Sequence, residues 1–108
     1  MIYHVRGRFK EHTAAVFLAK LTDGTIGKQR PDGTEIVASM ERAVVTTDGH
    51  VEWSESCYCP TPLLHERATV LDSHFDDLVT DPIDAHTTYD GRPFMEYLHE
   101  LAAPGSAD

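Results

Sequence analysis

The sequence predicts an α+β domain: a four-stranded antiparallel sheet with helices on one face, in the order β-α-β-β-α-β, then a short C-terminal helix. Three observations predict it. Apolar and polar residues alternate over 2–9. Two stretches, 12–21 and 62–78, place apolar residues at helical spacing. Between them, two β-rich runs flank Asp48-Gly49, a pair favouring a tight hairpin turn. With 108 residues, 41% of them hydrophobic, the chain can build one core and one domain.

The elements follow in order. In the first strand Tyr3, Val5 and Phe9 point one way and His4, Arg6 and Arg8 the other. Ala14, Phe17, Leu18 and Leu21 then form a helical stripe that Asp23-Gly24 stops, and Gly27, Pro31 and Gly33 mark 27–34 as a loop. The runs 35–47 and 50–59 read as a hairpin. If Asp48-Gly49 is its two-residue loop, Val44 faces Trp53, Arg42 faces Glu55, Met40 faces Cys57 and Ala38 faces Cys59. That face is mostly apolar. The other pairs Val45 with Glu52, Ala43 with Ser54, Glu41 with Ser56 and Ser39 with Tyr58. Thr61-Pro62 opens the second helix, whose stripe is Leu64, Ala68, Leu71, Phe75 and Leu78. Residues 84–89 alternate as a fourth strand. Asp90-Gly91 turns the chain, and Phe94, Tyr97, Leu98 and Leu101 complete a last amphipathic helix. The tail 102–108 reads as disordered.

This element order is the ferredoxin-like pattern. With the chain length and the opening strand Tyr3-His4-Val5-Arg6, it resembles the dimeric α+β barrel superfamily over about residues 1–101. Small monooxygenases, muconolactone-isomerase-like proteins and YCII-like proteins belong to that superfamily. The resemblance implies a homodimer in which the uncovered sheet face packs against a partner's sheet and encloses a small-molecule pocket. The long hairpin and the 27–34 loop depart from the shorter forms of that superfamily.

The face assigned to such a pocket carries His4, Arg6, Arg8, Ser39, Glu41, Ser56 and Tyr58. Arg6 and Arg8, with Ser39 and Ser56, suit binding of a carboxylate or enolate. His4 exchanges protons near neutral pH. Glu41 serves as a base if desolvation raises its pKa. Tyr58 donates a hydrogen bond to a developing oxyanion. The main expectation is a small-molecule binding protein or cofactor-independent enzyme working as a homodimer, with no cofactor and no metal.

Two other constellations provide alternatives. Cys57-Tyr58-Cys59 with His65 supplies two thiols and an imidazole, ligands suited to zinc or copper, although the spacing is not that of a finger and a fourth ligand is missing. The helix segment 65–77 places His65, Thr69, Asp72 and Asp76 along one flank, an array suited to a divalent cation or to docking against a partner in a non-catalytic interaction or regulatory module.

Charge and motifs exclude other classes. The formal net charge is −9. Residues 1–47 hold seven basic and five acidic side chains, and residues 48–108 hold two and thirteen. Phosphate repulsion argues against nucleic acid as partner. No apolar run approaches the ~20 residues of a membrane span, and residues 1–6 lack a signal-peptide core. A soluble cytoplasmic protein is expected. Neither GxGxxG, GxxxxGK[ST] nor GxSxG occurs.

Overall fold

The computed structural model describes residues 1–103. Five strands, β1 (Ile2–Phe9), β2 (Val44–Val45), β3 (Val51–Ser56), β4 (Phe75–Ile83) and β5 (Arg92–Pro93), form one antiparallel sheet in the order β4-β1-β3-β2-β5. Helices α1 (Ala14–Thr22), α2 (Gly33–Arg42) and α4 (Phe94–Ala102) are regular. The remaining helical run, α3, joins a turn at Leu64–Glu66, a π-turn at Arg67–Leu71 and a turn at Asp72–His74. No helix among the described residues is long and apolar enough to cross a membrane. Of the expected tail, Ala102 closes α4 and residues 104–108 lie outside the described residues.

β1 follows its alternation. Tyr3 and Val5 are buried and His4, Arg6 and Arg8 face outward. The inner face of β3 continues this layer through Val51, Trp53 and Glu55, opposite Gly7, Val5 and Tyr3. The helices bury Phe17, Ile36, Met40, Leu71, Phe94 and Leu98 against it, and Phe9, Phe17, Phe75 and Phe94 interlock as tilted and edge-on rings.

Four expectations are corrected. Residues 33–42 form helix α2 where the end of a loop (33–34) and a strand (from 35) were expected, because Ile36, Met40 and Ala43 are spaced to reach one core. Gly33 allows the close packing at its start: a Cβ there would lie 2.0 Å from the Ile26 carbonyl oxygen. The hairpin register is one residue off, with Val44 opposite Glu52 and Val45 opposite Val51. Its loop has three residues. The Gly49 N–H donates to the Thr46 carbonyl (3.0 Å), the Thr46 N–H donates to the His50 carbonyl (2.8 Å), and Gly49 sits at φ 85°. This is a turn closed by a glycine bulge. The second helix ends at His74, and Phe75–Ile83 becomes the edge strand β4, where Pro82 is tolerated. Residues 84–89 form no strand, and the sheet has five strands in place of four.

β2 is too short to cover the end of β3, and side chains of α2 replace it. The Arg42 guanidinium donates to the Ser54 carbonyl (2.9 Å). The Ser56 N–H donates to Glu35 Oε2 (2.8 Å), and Arg42 and Glu35 pair at 2.7 Å. Replacing Arg42 with Met strands the Ser54 carbonyl and takes the cation from the Glu35 carboxylate that holds the Ser56 N–H. Urea unfolding of Arg42→Met is expected to show a loss of about 1–3 kcal/mol; an unchanged midpoint would remove this role.

Candidate functional site

The chain leaving β3 passes between α2 and α3. There Cys57, Cys59 and Glu66 converge, their ligand atoms all within 4.8 Å of one another. Cys57 and Glu66 are buried and Cys59 is half-buried. Cys57 Sγ lies 3.6 Å and Cys59 Sγ 3.9 Å from Glu66 Oε2. The Cys59 N–H donates to Cys57 Sγ at 3.3 Å. Leu63, fully buried in the left-handed region at φ 55°, folds the chain back over the cysteines.

The polar groups here are acids without a cation. Glu66 is 0% exposed and its Oε1 has no hydrogen-bond partner. Burial raises its pKa, and the charge of Asp32 adds to the effect. Burial likewise pushes the Cys57 thiol up to about 11. Glu55, also 0% exposed, accepts from Trp53 Nε1 at 2.8 Å through Oε1, while its Oε2 is unpaired. Burial, with Glu66 and Glu35 nearby, pushes Glu55 up to about 8. Beside Cys59 an open cleft of about 490 Å³ is lined by Pro31, Asp32, Glu35, Ser56, Tyr58 and Cys59. His65, half-exposed, bonds Asp32 through Nδ1 at 2.8 Å and does not join the cluster.

No family model matches this chain, and neither does any curated protein or solved structure.

The residues expected on the polar face divide into groups. His4, Arg6, Arg8 and Ser56 share the outer face of the sheet. There they bind neighbours: His4 Nε2 meets Glu52 at 2.7 Å and its ring stacks on Tyr89, and Arg6 pairs with Asp48 at 2.7 Å. Arg8 faces Asp77 at 3.8 Å. His86, from the chain after β4, reaches Ser54 (2.8 Å) and Ser56 (3.0 Å). Ser39 and Glu41 lie on α2, Ser39 buried beside Glu35 and Glu41 exposed. Tyr58 is 92% exposed at the cleft rim. Glu66 was missed because the stripe expected in 62–78 turned it outward. The spacing of Leu63, Glu66 and Val70 is the signal that finds it.

Three buried groups shift in the acid-to-neutral range: Glu55 and Glu66 are raised by burial and His74 is lowered by it. Glu55 ionises near 4.5 when unfolded and near 8 when folded. Its contribution to stability is therefore full below about 4.5 and is lost as pH rises toward 8. His74, held near 4 against 6.5 unfolded by burial and by Lys20 and Lys10, acts oppositely and is destabilising as pH falls below 6.5. His74 offsets Glu55 between 4.5 and 6.5, Glu66 acts in the direction of Glu55, and above 6.5 no lowered group opposes the fall. Urea titrations in chelator are expected to show stability declining from pH 6.5 to 8. Glu55→Gln, which keeps an acceptor for Trp53, is expected to remove about 1.4 kcal/mol per pH unit of that slope. An unaltered slope in the variant would show that Glu55 is ionised in the folded protein.

Proposed function

We propose that this protein binds a thiophilic divalent cation of the zinc class through Cys57 Sγ, Cys59 Sγ and Glu66 Oε2. One observation carries the reading: a fully buried carboxylate, with one oxygen unpaired and no cation beside it, faces two thiols at the separations that such an ion sets. Ligands at about 2.3 Å for sulfur and 2.1 Å for oxygen, at a tetrahedral angle, stand about 3.6 Å apart. The sulfur–oxygen distances are 3.6 and 3.9 Å. The Cys59 amide supports a thiolate at Cys57. Asp32, the like charge nearest Glu66, is itself held by His65 Nδ1 at 2.8 Å. Three protein ligands leave a fourth position for water or a small ligand from the cleft. The scaffold reading that accompanies it is a ferredoxin-like core, β4-β1-β3-β2, extended by β5 and α4; the strand order and the two helical crossovers support it.

Titration of the metal-free protein with Co²⁺ reads the site directly. The expected result is one equivalent bound, with a thiolate-to-cobalt charge-transfer band that Zn²⁺ abolishes. Cys57→Ser and Glu66→Gln are each expected to weaken binding by at least about tenfold. Glu66→Gln is also expected to match or exceed the wild-type melting temperature in chelator, because it removes a buried acid. Absence of the thiolate band, or wild-type affinity in Glu66→Gln, would overturn the assignment.

A further inference from the structure

A second, separate pocket lies on the other side of α3. It is small, about 60 Å³, and opens between the C-terminal half of α1, the loop after it and the π-turn of α3. π-turns recur at functional sites because the extra residue per turn frees space and backbone groups. Lys20, Gln29, Ser73 and His74 are among its lining residues, and no Asp or Glu is. In a chain of net charge −9, Lys20 forms no ion pair among the described residues. The Gln29 amide and the Ser73 hydroxyl likewise spend no hydrogen bond inside the described protein. Thr25, at the rim, turns to Asp23 and is not counted among these groups.

His74 defines the ligand. It is 3% exposed, and its ring stacks on Phe17 at 4.2 Å. The Thr13 hydroxyl donates to the Lys10 carbonyl at 2.8 Å, so its oxygen accepts from His74 Nδ1–H at 2.9 Å. That bond places the ring proton on Nδ1. Nε2, the ring's other nitrogen, has no partner among the described residues, and His74 lines the pocket. Burial and the charges of Lys20 and Lys10 keep the ring neutral, its pKa near 4. The pocket is therefore lined by a fixed positive charge, two adaptable polar groups and one ring nitrogen without a partner among the described residues.

We propose that this pocket binds inorganic phosphate as hydrogenphosphate, with Lys20 neutralising the anion and the P–OH donating to His74 Nε2. Sulfate has the same shape and charge but no proton to donate. A phosphomonoester at pH 8 has lost its second proton, which leaves at about 6. Both would set an anionic oxygen against the His74 lone pair and leave that acceptor unsatisfied.

The test is calorimetric titration of the metal-free protein at pH 8 and matched ionic strength with phosphate, sulfate and methyl phosphate. Phosphate is expected to bind one equivalent, and sulfate and methyl phosphate at least about tenfold more weakly. Lys20→Met, which keeps the aliphatic stem, is expected to lose phosphate binding by a similar factor with an unchanged melting temperature in its absence. No phosphate binding would mean a pocket filled by water only. Equal binding of sulfate would remove the His74 acceptor, and undiminished binding in Lys20→Met would place the ion elsewhere; either result overturns the proposal.

Discussion

The edge of β3 beyond residue 53 carries backbone groups that no strand covers, because β2 contributes only Val44 and Val45. Unpaired backbone groups at a buried edge cost free energy comparable to a lost hydrogen bond each. The chain meets this need with two side chains of α2, Glu35 and Arg42, one accepting from Ser56 and one donating to Ser54. That choice ties the whole helix to the sheet edge. It brings Ile36 and Met40 into the core and carries Asp32, at the helix start, beside the chain that leaves β3. The thiol–carboxylate cluster lies where that departing chain passes between α2 and α3. A longer β2 would pair the β3 edge and displace the arrangement.

How much of this the sequence discloses depends on which physical signal each segment carries. β1 is legible because one of its faces is buried and the other solvated, so its period is undiluted. α1 and α4 are legible for the same reason at helical period. The segment 35–42 satisfies two templates. Its apolar and β-branched residues suit a strand, while Ile36, Met40 and Ala43 keep helical spacing and Asp32 and Glu35 fit a helix start. Alternation across a supposed hairpin favoured the wrong one. In α3 the difficulty is geometric. A π-turn holds more residues per turn than an α-helix, so its buried face runs Leu63, Glu66, Val70, His74, and a stripe drawn at 3.6 residues per turn drifts off it. Glu66 was hidden by that drift and by its charge, which marks a residue as solvent-facing in most helices. Of the seven residues expected on the outer face, β1 placed His4, Arg6 and Arg8, and a hairpin whose first arm is α2 placed Ser39, Glu41, Ser56 and Tyr58. Four remain on that face because β1 and β3 kept their phase.

Charge changes meaning once it is located. The outer sheet face is not a basic cleft: Arg6, Arg8 and His4 each stand against a carboxylate, and these partly exposed pairs contribute little to stability. The acidity that matters chemically is the small buried part, Glu55 and Glu66 beneath the end of the sheet. The basicity that matters is Lys20, which no carboxylate among the described residues neutralises. The chain thus separates an acidic, thiol-bearing cluster on one side of α3 from a carboxylate-free pocket on the other. Ligands of opposite sign follow from that separation, whatever the total charge.

Core cysteines beneath a helix are common and need no ion, so the weight of the metal reading rests on Glu66. A protonated Glu66 has one proton to donate, to a thiol sulfur or to the Asp32 carboxylate beside it, and as the cluster stands its Oε1 has no partner among the described residues. An unsatisfied buried oxygen costs about 1–3 kcal/mol, and an apolar residue of similar size would avoid the cost. An ionised Glu66 without a cation costs more. A divalent ion reverses both terms, since it supplies the missing charge and turns two thiols and a carboxylate from liabilities into ligands. Two thiolates and a carboxylate would then carry one negative charge more than the ion balances. Glu55, held as a neutral acid beside Trp53, is the neighbour that keeps a second excess charge out of the same small volume.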